Sequence, residues 1–131
     1  MAFEAYGRDY DELFENAGLA IEEATVKLES VKSTKKHTIY KKGDSVENLL
    51  FSFLEELVFL KDARLLVFNR IKCGVAEVLS GMWEARVELQ GEKIDPEKHK
   101  LGVDVKAVTK HLFEIKKLSD GSSRCLVVLD V

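Results

Sequence analysis

The spacing of apolar residues changes near residue 64 of this 131-residue chain, and that change constrains the fold more than any other feature. Before residue 64, two stretches place apolar side chains three and four positions apart, which is the period of an amphipathic helix. After it, short runs rich in β-branched and aromatic residues follow one another, as they do in strands. We therefore expect an α+β fold, with two helices packed on a largely antiparallel or mixed β-sheet in a two-layer sandwich.

The first helical stretch has a start signal at Asp9. Glu12 follows three positions later, which is the spacing of a capping box. The apolar positions of the stretch fall on one stripe of a helix: Leu13, Phe14, Ala17, Ala20, Ile21, Ala24 and Leu28. This stripe predicts a helix that covers a sheet.

The second helical stretch repeats the pattern and is more apolar. Asp44 followed by Glu47 predicts its start, and the pattern ends near Lys61. Its apolar positions are Val46, Leu49, Leu50, Phe53, Leu54, Leu57, Phe59 and Leu60. The larger apolar surface predicts that this helix is the central one.

Strands are expected in both halves of the chain. Residues 3–6 predict a short strand, and residues 31–42, which mix lysines with β-formers, predict an edge strand. Further strands are predicted at residues 65–68, 83–89, 103–108, 112–117 and 125–129. The pair Asp120-Gly121 predicts a hairpin turn, and Gly91 predicts the end of a strand.

The chain shows one proline, no Gly/Ser-rich linker and no internal repeat. These features predict a single domain over residues 1–131. No apolar run approaches the roughly 20 residues that span a bilayer, and the start has no signal-peptide pattern. We therefore expect a cytoplasmic protein with no membrane partner.

The charge and the cysteines argue against two classes of function. A net charge of −3 and a pI near 5.7 speak against a broad basic face, so we expect no contact with DNA and only indirect contact with tRNA. Cys73 and Cys125 lack the spacing of a zinc or redox motif. They are predicted to be buried free thiols.

The adjacent acidic pairs do not predict catalysis. Glu55-Glu56 and Glu22-Glu23 lie in the predicted helices, where neighbouring side chains point about 100° apart and cannot converge on one proton or metal. Both pairs are expected on solvated helix edges. No phosphate-binding loop and no hydrolase signature is present, so nothing in the sequence indicates an enzyme.

Four polar residues near the carboxyl end are candidates for function. Lys106 lies in a predicted strand, where a solvent-facing lysine is the simpler explanation and a cation for a phosphate or carboxylate is the alternative. His99 fits a structural and a functional role equally, whereas His111 favours a structural one. Asp130 ends an apolar strand, and exit to solvent at the terminus explains it most simply. His37, among lysines, is expected to be exposed.

Several separated segments together resemble the archease family, in the family's order and over almost the full length. They are AYG (5–7), LFENA (13–17), LLFSFLEEL (49–57), GEKIDPEKH (91–99), VKAVT (105–109) and VLDV (128–131). Because the segments are separated and correctly ordered, the resemblance is specific.

The resemblance implies a noncatalytic accessory protein of tRNA splicing. Such a protein activates the RtcB-type RNA ligase by promoting its guanylylation and turnover, and it binds a divalent cation, calcium-like in its oxygen ligands. Among these residues, Asp130 and Val131 would supply metal ligands and Lys106 would be needed for activation. His99 would support that surface. The alternative is a general chaperone or modulator of RNA-processing enzymes such as tRNA methyltransferases.

The chain departs from the family at its amino end. Archeases usually carry a His-Thr-Ala-Asp segment, which supplies a further metal ligand, just before the position of residues 2–7. Here the sequence starts after it. We therefore expect that the start codon was assigned too late or that the chain was cut.

Overall fold

The computed structural model describes all 131 residues and shows two helices and six strands. In chain order the elements are β1 (Ala2–Gly7), α1 (Tyr10–Thr25), a short 3-10 helix (Leu28–Ser30), β2 (Lys35–Gly43), α2 (Val46–Arg64), β3 (Leu66–Leu79), β4 (Met82–Lys93), β5 (Ala107–Lys117) and β6 (Ser123–Asp130). Neither helix combines the length and the apolar character needed to cross a bilayer. The predicted α+β class is confirmed.

The strands form two three-stranded antiparallel sheets where one sheet was expected. The terminal sheet, in the order β1-β6-β5, contains both ends of the chain, and the hairpin sheet, in the order β2-β4-β3, is built on the long β3–β4 hairpin. Helix α1 packs on β3 and β1, and α2 packs on β5 and β2. Because each helix contacts both sheets, the helix pair joins them into one core.

The helix starts show one confirmed cap and one correction. Asp9 caps α1, since its carboxylate accepts a 2.9 Å hydrogen bond from the backbone N–H of Glu12. The cap of α2 is Ser45 and not Asp44, because the Ser45 hydroxyl accepts from the backbone N–H of Asn48 at 3.0 Å. Asp44 lies one residue outside and binds the side-chain amide of Asn48.

The core is centred on α2, as expected for the more apolar helix. The rings of Phe14 in α1 and Phe53 in α2 stack 6.0 Å apart, and Phe68 of β3 is fully buried beside them in the same cluster. A fully buried side chain of this size contributes about 1.5–3 kcal/mol relative to an exposed one. The terminal sheet closes the cluster with Val127 and Leu129 of β6.

Five strands were predicted after residue 64, and the structure has four. The two predicted at residues 103–108 and 112–117 are a single strand, β5, that begins only at Ala107. Its register with β6 jumps between Thr109 and Glu114, so residues 110–113 bulge outward. Residues 103–106 are not in a strand. The N–H of Val103 donates to the carbonyl of Ala24 in α1 at 2.9 Å, and the chain reaches β6 only at Lys106, whose N–H donates to the carbonyl of Asp130.

Gly91 lies inside β4 and does not end a strand. A Cβ atom at this position would overlap the backbone of Val67 and Phe68 in β3. The close approach occurs next to the β3 bulge between Phe68 and Arg70. Glycine therefore marks a tight contact between two paired strands.

Candidate functional site

A crossover segment, residues 94–106, carries the chain from the hairpin sheet to the terminal sheet and ends at Lys106. The end of α1 holds it in place. Gly102 and Val103 donate backbone hydrogen bonds of 2.8 and 2.9 Å to the carbonyls of Thr25 and Ala24. These are among the last carbonyls of a helix, which have no partner within the helix itself. The crossover segment and α1 thus satisfy each other's backbone groups.

Lys61 of α2 is a second anchor of the crossover segment. Its ammonium group donates at 2.7 Å to the carboxylates of Asp62 and Asp104 and to the carbonyl of Val105. Burial opposes the charge, but these hydrogen bonds outweigh it and raise the pKa of Lys61. The same contact lowers the pKa of Asp104. Lys61 therefore fixes the backbone immediately before Lys106.

Lys106 has a fixed backbone and a free side chain. Its N–H donates to the carbonyl oxygen of Asp130 at 2.8 Å, and the neighbouring Val105 is fully buried. The Lys106 side chain is exposed and forms no ion pair. The residue lies just before β5 and not within a strand, which corrects its predicted placement.

Lys106 lines a groove between α2 and the start of β5, which we call the Lys106 groove. The groove has a volume of about 240 Å³ and is lined by Glu55, Val58, Phe59, Asp62, Lys106, Ala107 and Val108. The aromatic side of the groove is accessible, because Phe59 is 54% exposed. Such a surface suits a partner that presents an anionic group beside an apolar one.

His99 supports the crossover segment from inside. Its side chain is fully buried. The Nδ1 atom accepts from the N–H of Asp95 at 2.9 Å, which leaves a proton on Nε2 to donate to Glu92 at 2.9 Å. A buried imidazole cannot touch a partner directly. His99 can therefore act on the candidate surface only by holding its supporting turn.

Glu92 collects three hydrogen bonds at the start of the crossover segment. Lys98 donates through its ammonium group at 2.6 Å, His99 through its ring, and Lys32 through its backbone N–H at 2.6 Å. These donors lower the pKa of Glu92 to about 2. The carboxylate is therefore ionised at any physiological pH and ties the turn to β4.

Asp130 and Val131 do not by themselves fit a calcium-like site. Both are exposed at the end of β6. The chain contains no group of three or more His, Cys, Asp or Glu side chains that could hold an ion. A calcium ion takes six to eight oxygen ligands, far more than these two residues offer.

Besides Glu92, two buried charged residues, both in the helices, were missed from the sequence. Glu22 is 1% exposed, although the pair Glu22-Glu23 was expected on a solvated edge; only Glu23 is exposed. Burial raises the pKa of Glu22 well above its usual value, and one of its carboxyl oxygens has no hydrogen-bond partner. Its position next to Ile21 in the helical stripe was the available signal. Lys61, the other missed residue, was predicted only to mark the end of the second helix.

The remaining candidates lie apart from the Lys106 groove. His37 is partly exposed in β2, which is an edge strand as predicted. His111 is exposed in the bulge of β5. Cys73 and Cys125 are buried free thiols, as expected. Burial raises the pKa of both, to about 11 for Cys125, so neither is a reactive thiolate.

Comparisons with known proteins agree across the whole chain. Residues 1–131 match the model of the Archease protein family (MTH1598/TM1083). The sequence is 37% identical over 126 residues to the protein named archease of Pyrococcus furiosus, covering 96% of this chain and 88% of that protein. It is 33% identical over 129 residues to the archease of Methanothermobacter thermautotrophicus, covering 98% of this chain and 90% of that protein.

A solved structure shares the fold. The solution structure of Methanobacterium thermoautotrophicum protein 1598 superimposes with a TM-score of 0.82 and 30% sequence identity. The match covers 99% of this chain and 91% of the other. Sequence family and three-dimensional fold therefore point to the same relatives.

Proposed function

The chain belongs to the archease family, and we propose that it is a noncatalytic protein that activates an RtcB-type RNA ligase by promoting the ligase's guanylylation and turnover. Family membership supports the coarser statement that it is an accessory protein of RNA processing. The same proposal places both proteins in the cytoplasm. The choice of ligase and step comes from the resemblance, and the geometry at Lys106 supports it.

One observation carries the proposal: Lys106 offers an unpaired cation from a fixed backbone. Its neighbours on both sides are tied down, through Lys61 to Val105 and through the β5–β6 ladder to Asp130. An exposed lysine that forms no ion pair is available to an anionic group of a partner. The fixed backbone reduces the conformational entropy lost on binding.

The Lys106 groove supports a protein partner over free RNA at this site. Phe59 supplies an exposed aromatic contact beside the cation, and aromatic residues are enriched at protein interfaces. Glu55 and Asp62 line the same groove and would repel the successive phosphates of an RNA strand, whereas a protein can place a single anionic group at Lys106 and other groups near the two carboxylates. We therefore expect the ligase, and not tRNA, to occupy this surface.

The proposal is tested by measuring how fast purified ligase incorporates labelled GTP with and without this chain. We expect a faster rate of guanylylation, saturating with chain concentration. Heat-unfolded chain at the same concentration is the control. A guanylylation rate that does not change with added folded chain would contradict the proposal.

Divalent-cation binding is a separate proposal, because the residues present do not complete a site. Met1 and Leu129 exchange backbone hydrogen bonds, of which the Leu129 N–H to Met1 carbonyl bond is 2.7 Å. Antiparallel pairing continued by one residue would bring a preceding side chain opposite Asp130. We expect a variant with His-Thr-Ala-Asp added before Met1 to bind calcium in a calorimetric titration, and Asp130→Asn to abolish that binding. Equal calcium binding with and without Asp130 would contradict this.

The alternative, a general chaperone or modulator of RNA-processing enzymes such as tRNA methyltransferases, has one observation in its favour. The tip of the β3–β4 hairpin exposes Val78, Leu79 and Met82, which are 49%, 71% and 42% exposed. Exposed apolar surface of this kind binds other apolar surfaces. A general chaperone would suppress aggregation of an unrelated protein and would tolerate Lys106→Ala. Suppression lost on Leu79→Ser but retained in Lys106→Ala would favour this alternative.

A further inference from the structure

The outer face of the hairpin sheet carries five basic side chains. One row of buried residues crosses β2, β4 and β3 and consists of Ile39, Val87 and Cys73. Because side chains alternate between the two faces of a strand, the residues that alternate with this row point to solvent. The basic residues on that outer side are Lys36, Lys42, Arg70, Lys72 and Arg86, all exposed. We call this surface the basic face.

The positive charge of the basic face exceeds its negative charge. Its two acidic residues, Glu84 and Glu88, each lie 3.6 Å from a basic side chain, and contacts this long at the surface are weak. Lys36, Arg70 and Lys72 form no ion pair at all. The chain nevertheless has a net charge of −3. The negative net charge argued against a broad basic surface, but these basic side chains are clustered on this one face.

An exposed aromatic ring lies on the basic face, on its edge strand β2. Tyr40 is 62% exposed, and the guanidinium of Arg86 in the neighbouring strand lies 5.5 Å from its ring centre. The third position of this row is Gly74, which has no side chain. A depression of about 380 Å³ opens there, and its lining includes the cations of Lys72 and Arg86 and the carboxylates of Asp11 and Glu88. The row thus combines an exposed ring with one cation, and Lys72 adds a second cation in the neighbouring row.

We propose that the basic face binds single-stranded RNA. A base would stack on the free side of the Tyr40 ring, and Lys36, Arg70, Lys72 and Arg86 would neutralise phosphates. An acidic protein would satisfy the charges alone, whereas an exposed ring with a neighbouring cation is what a nucleic-acid base uses. The choice of RNA over DNA rests on the proposed function, since an accessory protein of RNA processing meets RNA.

The test is fluorescence anisotropy with a labelled 12-nucleotide oligouridine in 50 mM KCl. We expect saturable binding that weakens about 50-fold between 50 and 200 mM salt, as about four neutralised phosphates on a single strand imply. Tyr40→Ala should weaken binding at least fivefold, since one stacked base is worth about 1–3 kcal/mol. Unchanged affinity in Tyr40→Ala would overturn the stacking.

A matched pair of variants separates this face from general charge. The double variant Lys36→Glu/Arg70→Glu changes two residues that flank Gln90 across the sheet and should lose binding. Lys100→Glu/Lys116→Glu changes the net charge equally at exposed positions elsewhere and should retain it. Equal loss in both variants, or displacement of the RNA by a 12-residue oligoglutamate at equal concentration, would overturn the proposal.

The same variants separate this proposal from the proposed function. Guanylylation is measured on ligase without RNA, so Lys36→Glu/Arg70→Glu should stimulate it as the unmodified chain does. RNA binding without stimulation of the ligase would contradict the proposed function alone. Stimulation without RNA binding would contradict the present proposal alone.

Discussion

The backbone N–H of Lys106 donates a 2.8 Å hydrogen bond to the carbonyl oxygen of Asp130. The family resemblance assigns these two residues to activation and to cation binding, and the structure joins them through the main chain at one end of the terminal sheet. Ala107, next to Lys106, is the strand partner of Asp130. Displacement of the end of β6 would therefore move Lys106 as well.

Replacing Lys61 tests the anchor beneath Lys106. Lys61→Met removes the donor to the carbonyl of Val105, while Asp62 and Asp104 remain exposed and hydrated. We expect the free energy of unfolding in urea to fall by about 1–3 kcal/mol, the cost of leaving a buried polar group unpaired. Lys116→Met, at an exposed position, is the control and should change it by less than about 0.5 kcal/mol. Equal stability of the two variants would contradict the anchoring role.

Glu92 should contribute stability that is lost in acid. Its pKa is about 2 in the folded chain, below the usual 4.5, so the unfolded chain binds a proton first as the pH falls. The contribution is fully present above pH 4.5 and disappears as the pH falls towards 2. Glu92→Gln should be less stable at pH 7 and show a shallower decline in acid, measured by urea unfolding. Glu97→Gln, on the same turn but exposed, should follow the unmodified chain.

The contribution of Glu22 to stability should depend on pH in the opposite direction. Burial raises its pKa well above 4.5, so the folded chain retains a proton that the unfolded chain releases. Its contribution is fully present below pH 4.5 and is lost as the pH rises through the folded-state pKa. Glu22→Gln should be more stable than the unmodified chain at pH 8, with the difference closing near pH 4. Glu23→Gln is the exposed control, and identical pH profiles for both variants would rule out this effect.

The glycines of the hairpin sheet provide a matched pair. Gly91→Ala would drive a methyl group into the backbone of β3, so we expect a loss of about 3 kcal/mol or more, or failure to fold. At Gly74 a Cβ atom would meet only the carbonyl oxygen of Arg86, at 3.9 Å. Gly74→Ala should therefore change stability by about 1 kcal/mol or less. Thermal melts followed by circular dichroism distinguish these outcomes, and similar melts would refute the close contact.

Features set by neighbouring residues could be predicted from the sequence. The cap at Asp9, the stripe of α1 and the Asp120-Gly121 turn depend on spacings of a few residues, and all three are present in the structure. The strands predicted at residues 3–6 and 125–129 were correctly placed for the same local reason.

Features set by distant partners could not be predicted. The division into two sheets rests on strand pairings between distant residues, such as Ala2 with Val128. Residues 103–106 have the composition of a strand, but their backbone groups bond to α1 and β6. Lys61 lies 44 positions from Val105, so no local pattern shows that its ammonium group is buried. The burial of His99 likewise depends on Glu92, which comes into range only when the turn has formed.

The most direct test of the account is the guanylylation rate of purified ligase in the presence of Lys106→Ala, compared with Lys116→Ala. Each variant removes one exposed lysine, Lys106 just before β5 or Lys116 within it, so both should fold as the unmodified chain does, as unfolding in urea can show. We predict that Lys116→Ala stimulates guanylylation as the unmodified chain does and that Lys106→Ala reduces the stimulation at least tenfold, about 1.4 kcal/mol of lost interaction. Full stimulation by Lys106→Ala would contradict the account.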